Sequence, residues 1–386
     1  MTRSGHDGGE LGQRGASWTA REIEQQPAVW RATAETLRGL APAAQTFLAP
    51  LLAQRDLRII LTGAGSSSFL GRCLQPLLLA GLNRRVEAIA TTDLVTGPRQ
   101  YLQRDVPTLL VSFARSGNSP ESVAAAELTD REVAVCYHLV ITCNPAGELL
   151  RRHNGRPRSL CVLLPEATHD RGFAMTSSFS SMLYAAQLLL LPQAPIDLER
   201  IGRAGAAVLA DDGGLLRELA AAPYARVVFL GSRGLSGLAD EAALKLLELT
   251  DGEVAAVANS SLGFRHGPKT FLNAQTLVVA FVSNDALTRR YDLDVARELT
   301  RDRIAARVVV LSASAADLDG LETVVIPGVE SAPDAELYFP FVMWAQSLAL
   351  GRSLALGYTP DNPSRSGTVS RVVQGVTIYD GQGAPR

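Results

Sequence analysis

The stretch "LRIILTGAGSSSFLGRCLQPLLLAGL" (Leu57–Leu82) passes from strand through turn to helix. It opens on a short, continuous run of branched apolar residues, the pattern of a strand covered on both faces. Glycine and serine interrupt the run at Gly63–Ser68, and an apolar helical segment follows. The same order returns in "ARVVFLGSRGLSGLADEAALKLLEL" (Ala225–Leu249), and the parallel continues downstream. "PTLLVSFARSGNSPESVAAAEL" (Pro107–Leu128) is matched by "TLVVAFVSNDALTRRYDLDVAREL" (Thr276–Leu299). Third strands follow in "VAVCYHLVITCNP" and "AARVVVLSAS", and fourth strands in "LCVLLP" and "ETVVIP". Each half closes on a long apolar helix, near Ser177–Leu191 and Leu337–Leu356. Buried strands alternating with helices make parallel sheets covered on both sides. The sequence therefore predicts an α/β fold of two doubly wound sandwiches, built by duplication.

The sandwiches are expected at 55–195 and 223–360, joined by a partly helical linker at 196–222. Residues 1–17 are rich in glycine and polar groups and read as a disordered tail. "TARE" (Thr19–Glu22) has capping-box spacing and opens a helical segment, 18–54, with breaks expected at Pro27 and Pro42. A C-terminal tail occupies 361–386.

Composition excludes several classes of function. The chain of 386 residues is 47% hydrophobic and 20% charged, with a net charge of −2. That suits a globular protein with a large core and gives no electrostatic case for nucleic acid. The one basic cluster, "RRHNGRPR" (Arg151–Arg158), lacks aromatics and reads as a solvated loop. The longest apolar runs, such as "LYAAQLLLLP", fall short of a membrane-spanning helix, and no signal peptide is visible. Cys73, Cys136, Cys143 and Cys161 show no C-x-x-C pairing, so buried thiols in a reducing cytoplasm are expected. Lysine occurs only at Lys245 and Lys269, close together in sequence.

In open parallel sheets, ligands bind beyond the carboxyl ends of the strands. Two turns of the first half fall there, "GAGSSS" (Gly63–Ser68) and "ARSGNS" (Ala114–Ser119). Each opens a helix, so backbone N–H groups and the positive dipole end converge. Ser66, Ser67, Ser116 and Ser119 add hydroxyl donors, Arg115 adds charge, and Gly65 and Gly117 allow close approach. Serines that merely cap helices would explain one such turn. Two neighbouring serine-rich turns point to an anion such as a phosphate. The matching turn of the second half, "FVSNDALTRR", lacks the hydroxyl cluster, so the fold alone does not require it. No G-K-[ST] follows either turn, so a nucleotide triphosphate is not indicated.

The second half carries other chemistry. Glu241, Lys245 and Glu248 lie at i, i+4 and i+7, one helix face that by itself could be an ion-pair triplet. "NSSLGFRHGPKTF" holds His266 in a polar turn. No second histidine or cysteine stands at ligand spacing from it, and no metal or cofactor is expected.

Together these motifs resemble the tandem sugar isomerase (SIS) domain family. "SFARSGNSPES" is similar to that family's phosphate loop, and "EAALKLLEL…HGP" to its catalytic half in amino sugar enzymes. "REIEQQPAVW" resembles the segment that precedes the domains. "FAMTSSFSSM" and "YTPDNPSRSGTVSRVVQGVTIY" narrow the resemblance to the AgaS type, galactosamine-6-phosphate deaminase/isomerases or tagatose-6-phosphate ketose/aldose isomerases. The resemblance spans about residues 19–380. It implies that Ser67, Ser116 and Ser119 bind the sugar phosphate, with Arg115 where the related synthases have glutamine. It implies that Thr176 touches sugar hydroxyls, Glu248 shuttles a proton between C1 and C2, and His266 opens the ring from a neighbouring subunit. Glu241 would orient a catalytic group and Lys245 would lie near the reacting carbons. Arg371 stands where the family has a C-terminal lysine, and a protonated guanidinium cannot form a Schiff base. The implied substrate is a hexosamine or ketohexose 6-phosphate, and the implied assembly a homo-oligomer of at least two chains with a shared site. A glucosamine 6-phosphate deaminase, a plain ketose/aldose isomerase and a non-catalytic sugar phosphate sensor remain the alternatives.

Overall fold

The computed structural model describes residues 8–210, 214–373 and 375–379. Ten strands form two parallel five-stranded sheets. The first sheet holds β1 (Arg58–Thr62), β2 (Arg85–Ala88), β3 (Thr108–Ala114), β4 (Cys136–Thr142) and β5 (Ser159–Leu163). The second holds β6 (Arg226–Leu230), β7 (Ala255–Asn259), β8 (Thr276–Phe281), β9 (Arg307–Ser312) and β10 (Glu322–Val325). The spatial orders are β2-β1-β3-β4-β5 and β7-β6-β8-β9-β10, one topology used twice. In both, the order reverses beside the first strand of the half, so the two turns after β1 and β3, or after β6 and β8, flank a switch point.

The strands read as continuous apolar runs are the buried centres of the sheets. Every residue of β3 and of β8 is buried. In the first half Ile60, Leu110 and Val140 pack with Leu149 in one core; in the second Val228, Val278 and Val310 pack with Phe264 and Leu293. The edge strands β2 and β7 were not expected from the sequence. They are four and five residues long. β2 carries Arg85 and Glu87, which suit an edge and break the apolar pattern.

The chain divides into two compact units that do not follow the expected linear boundaries. A first-sheet unit comprises Val29–His169, Ser177–Pro195 and the segment from Gly367 onward; a second-sheet unit comprises the segment up to Ala28, Asp170–Thr176 and Ile196–Ser366. The stretch expected as a linker forms the helices Leu198–Leu209 and Leu215–Ala221, which pack on the terminal helix Asp334–Ala355 inside the second-sheet unit. Ile201 and Leu219 are buried there, so apolar burial makes these helices part of that core.

The N-terminal expectation also needs correction. Residues 1–7 lie outside the described residues, but Gly8–Gln13 is helical rather than disordered. Leu11 and Ala16 pack with Ala20 and Leu354, and the Arg14 guanidinium donates to the Leu354 carbonyl at 2.5 Å. Pro27 does mark a break, between the helices Ser17–Glu24 and Gln26–Leu52. Pro42 does not, because the second of these helices runs through both Pro42 and Pro50. A proline removes one helical hydrogen bond; burial of Leu37, Ala44 and Leu48 on one face keeps the helix continuous. No disulfide joins the cysteines, of which Cys73, Cys136 and Cys143 are buried. Arg151, Arg152, Arg156 and Arg158 are exposed. Among the described residues no helix is long and apolar enough to cross a membrane.

Candidate functional site

In the first-sheet unit, the turn after β1 is shaped by close packing. A Cβ on Gly63 would lie 2.5 Å from the Ser67 Cβ, so only glycine fits. Gly65 precedes the helix Ser66–Leu82 at φ 55°, a conformation that L-residues rarely adopt. It brings Ser66 and Ser67 into the first helical turn, both buried.

The turn after β3 continues with Arg115, Ser116, Gly117 at φ 67°, Asn118 and Ser119. Ser119 caps the helix Pro120–Glu132: its Oγ accepts from the Ser122 N–H at 3.3 Å and donates to Ser122 Oγ at 2.6 Å. The capping account of that serine is therefore true, and it leaves one lone pair of the hydroxyl for a further donor. Ser116 Oγ accepts from the Asn118 N–H at 3.3 Å. A third loop braces this turn. Asn144 Nδ2 donates to the Ser116 carbonyl at 2.7 Å, and Asn118 Oδ1 accepts from the Glu148 N–H at 2.9 Å. Sequence reasoning missed Asn144; the "CNPAG" turn after β4 was its only signal. The buried Arg115 donates through Nη2 to the backbone carbonyl of Arg371 at 2.7 Å. Two residues expected at the site thus meet across 256 positions of sequence. Of the expected tail, residue 374 and residues 380–386 lie outside the described residues.

In the second-sheet unit, the helix Gly234–Leu249 carries the three acid–base candidates on one face. Glu241 and Lys245 are fully buried, while the Glu248 side chain keeps 24% of its surface exposed. Lys245 Nζ lies 2.5 Å from Glu248 Oε2 and 3.5 Å from Glu241 Oε1. The lysine therefore lies buried behind a partly exposed carboxylate. Buried charges survive when paired, and removing one partner costs about 3–5 kcal/mol. The arrangement presents a single carboxylate to solvent, held from behind by a cation that is held in turn by a second carboxylate.

His266 is exposed on the turn after β7, following the 3-10 segment Gly263–Arg265. Among the described residues its imidazole has no hydrogen-bond or ion-pair partner, and nothing joins it to Glu248. Its neighbours anchor the turn. Arg265 pairs with Asp294 and Glu298, and Lys269 with Glu298 and Asp302. Lys269 is thus a structural lysine, and Lys245 the one in the site.

Thr176 is buried, with its N–H and Oγ donating to the Asp170 carboxylate at 2.8 and 3.3 Å. Glu22 accepts from the backbone N–H groups of Arg171 and Gly172 in the same segment. Burial, reinforced by the charge of Asp170, pushes Glu22 up to about 8. Neither Asp170 nor Glu22 was flagged from sequence as a site residue, and the capping box expected at "TARE" does not form: the helix opens at Ser17 after Ala16, Thr19 Oγ donates to Asp361, and Glu22 is taken by the Arg171 and Gly172 N–H groups.

Comparison with known proteins fits this geometry. The SIS domain model matches residues 51–192. A Streptomyces coelicolor AgaS protein, provisionally named D-galactosamine-6-phosphate deaminase, is 52% identical over 367 residues, covering 94% of this chain and 95% of its own. The chain belongs to the tandem SIS family, AgaS type. D-galactosamine-6-phosphate deaminase AgaS of Escherichia coli O157:H7 is 46% identical over 95% of this chain and 96% of its own. The crystal structure of tagatose-6-phosphate ketose/aldose isomerase from Escherichia coli superposes with a TM-score of 0.87 at 43% identity, covering 95% and 97% of the two chains. The two parallel sheets are thus a pair of SIS domains, as the sequence motifs indicated.

Proposed function

We propose that this AgaS-type protein converts D-galactosamine 6-phosphate to tagatose 6-phosphate and ammonia. The observation that carries the reading is Glu248, a carboxylate open to solvent on one side and fixed by the buried Lys245 on the other. A base near a sugar carbonyl needs that placement: reachable by substrate, but unable to turn away. Ser66, Ser67, Arg115, Ser116 and Ser119 would hold the phosphate as the anion of the switch-point turns. His266 would pass a proton from O1 to the ring oxygen as the pyranose opens to the aldehyde. Glu248 would then take the C2 proton and return it to C1, while O1 gains a proton and the amine nitrogen gives one up. The product of that step is an imine at C2. Water adds to it, ammonia leaves, and a ketose remains. Lys245 is best read as the group that positions and charges Glu248, because no part of it is exposed to touch substrate. Thr176, buried and fixed by Asp170, would contact sugar hydroxyls only after that segment exposes it.

The exposed and unpartnered His266 supports a dimer or larger assembly in which this imidazole serves a second chain's substrate. Ammonia and ketose release from galactosamine 6-phosphate, with glucosamine 6-phosphate in parallel, tests the proposal; no ammonia from any hexosamine 6-phosphate overturns it. The name of the Escherichia coli structure favours a second reading, isomerisation without deamination. The same steps on an amine-free aldose give that reaction, and product analysis with tagatose 6-phosphate alone separates the two.

A further inference from the structure

At the amino ends of the first sheet's strands, opposite the serine turns, three side chains of different chemistry converge. Cys136 and His138 stand two apart at the start of β4 and so face the same side. Asp130 reaches them from the last turn of the helix Pro120–Glu132. His138 Nε2 lies 2.7 Å from Asp130 Oδ1 and 3.4 Å from Cys136 Sγ. The three donor atoms lie within 4.8 Å of one another. We propose that Asp130, Cys136 and His138 form a transition-metal site of the zinc class, with a fourth position open to solvent.

The geometry supports it in three ways. In a tetrahedral zinc site with Zn–S near 2.3 Å and Zn–N near 2.0 Å, sulfur and nitrogen stand about 3.5 Å apart. The sulfur–nitrogen edge here already has that length. The nitrogen–oxygen edge must open by about half an ångström, and Asp130 is the ligand able to move, with 42% of its side chain exposed. Second, one nitrogen faces both the thiol and the carboxylate. A nucleophile-and-base triad would place these groups on opposite nitrogens, so shared ligation explains the arrangement better. His138 is buried, and its Nδ1 has no hydrogen-bond partner. That nitrogen can take the proton that a metal displaces from Nε2. Third, an entry path exists: a solvent-open cleft lined by these three residues with Arg156, Arg158 and Ser159.

The neighbouring groups set the energetics. Burial, then the Asp130 charge, raises the Cys136 thiol well above its ordinary range. Burial lowers the His153 imidazole to about 4. That ring stacks 4.3 Å from His138. Two exposed cations oppose a metal here: Arg156, 3.9 Å from Asp130, and Arg158, which lines the same cleft and acts on Cys136. Sequence reading expected no metal because it looked for partners near His266; Cys136-x-His138 completes its set only through Asp130 on another element.

The test is titration of the chelator-treated full chain with Co²⁺, followed by competition with Zn²⁺. One equivalent should bind, with a thiolate-to-cobalt absorption band. Asp130→Asn should weaken binding at least about tenfold, and Cys136→Ala should abolish the band. Cys161→Ser should leave both unchanged. Far-UV circular dichroism guards against a misfolded Cys136 variant, and the exposed Asp130 carries the test if that variant fails. No uptake, or uptake with a band that survives both Asp130→Asn and Cys136→Ala, overturns the proposal.

Discussion

The turns that open the two sandwiches share one backbone and differ in the groups they hold. After β1, Gly63 packs against Ser67, and Gly65 takes φ 55° and ψ −130°. After β6, Gly231 packs equally closely against Leu235, and Arg233 takes φ 55° and ψ −128°. The scaffold is the same to within a few degrees. The occupants are not. In the second-sheet unit, the buried Asp292 carboxylate accepts from Ser232 Oγ at 2.5 Å, Ser261 Oγ at 2.6 Å and the Ser283 N–H at 3.1 Å. Three successive loops at that switch point thus converge on an anion that belongs to the chain. Counted from the helix N-caps Ser119 and Asp285, the residue matching Asp292 in the first-sheet unit is Ala126, which has no charge to offer. One sandwich supplies its own carboxylate; the other keeps serines and an arginine where an external anion would sit.

That contrast can be broken or sharpened experimentally. The largest effect belongs to the acid–base group. Glu248→Gln should lower kcat by about 10²–10⁴-fold while ligand binding persists. Retained turnover would end the role given to that carboxylate. Next comes the anion turn. Arg115→Ala removes a charge-assisted contact of about 1.5–3 kcal/mol and should raise KM for the phosphorylated sugar by roughly ten- to a hundredfold, with melting little changed. The mirrored substitution, Ser232→Ala, should do the reverse. It strips a donor from the buried Asp292 and should cost about 1–3 kcal/mol of stability, with KM unchanged. If both substitutions act on KM alone, or both on stability alone, the two turns are not divided as described.

A smaller effect is expected at Glu22. Its carboxyl titrates at about 8 when folded, against an ordinary value of 4.5. The folded state therefore binds the proton more tightly, and that contribution is complete below pH 4.5 and lost as pH rises to 8. The melting temperature of the native protein should fall across that window, and Glu22→Gln should flatten the fall. The smallest effect is expected at Arg233, where glycine would relieve an unfavourable φ. Arg233→Gly should raise stability by about 1 kcal/mol in thermal unfolding.

Much of this was legible in the sequence because it rests on local pattern. The central strands β1, β3, β4, β6, β8 and β9 are continuous apolar runs, and the serine turns follow two of them directly. The edge strands β5 and β10 were legible, but β2 and β7 were not; β2, four residues with Arg85 and Glu87, has no apolar signature. The helix at Gly8–Gln13 was hidden for a similar reason: among the described side chains of that polar stretch, Leu11 and Ala16 are buried. The site was half legible. Glu241, Lys245 and Glu248 reveal themselves by helical spacing. Asp292 with its three serines does not, since the group is spread over 60 positions and is joined only by the meeting of three loops.

The grip of Arg115 on residue 371 has a consequence for how the chain's end can vary. A carbonyl oxygen is taken, and every amino acid carries one. The tether therefore reads the route of the main chain and is blind to the letter written there, so respelling position 371 should preserve it, whereas cutting the chain before that point should not.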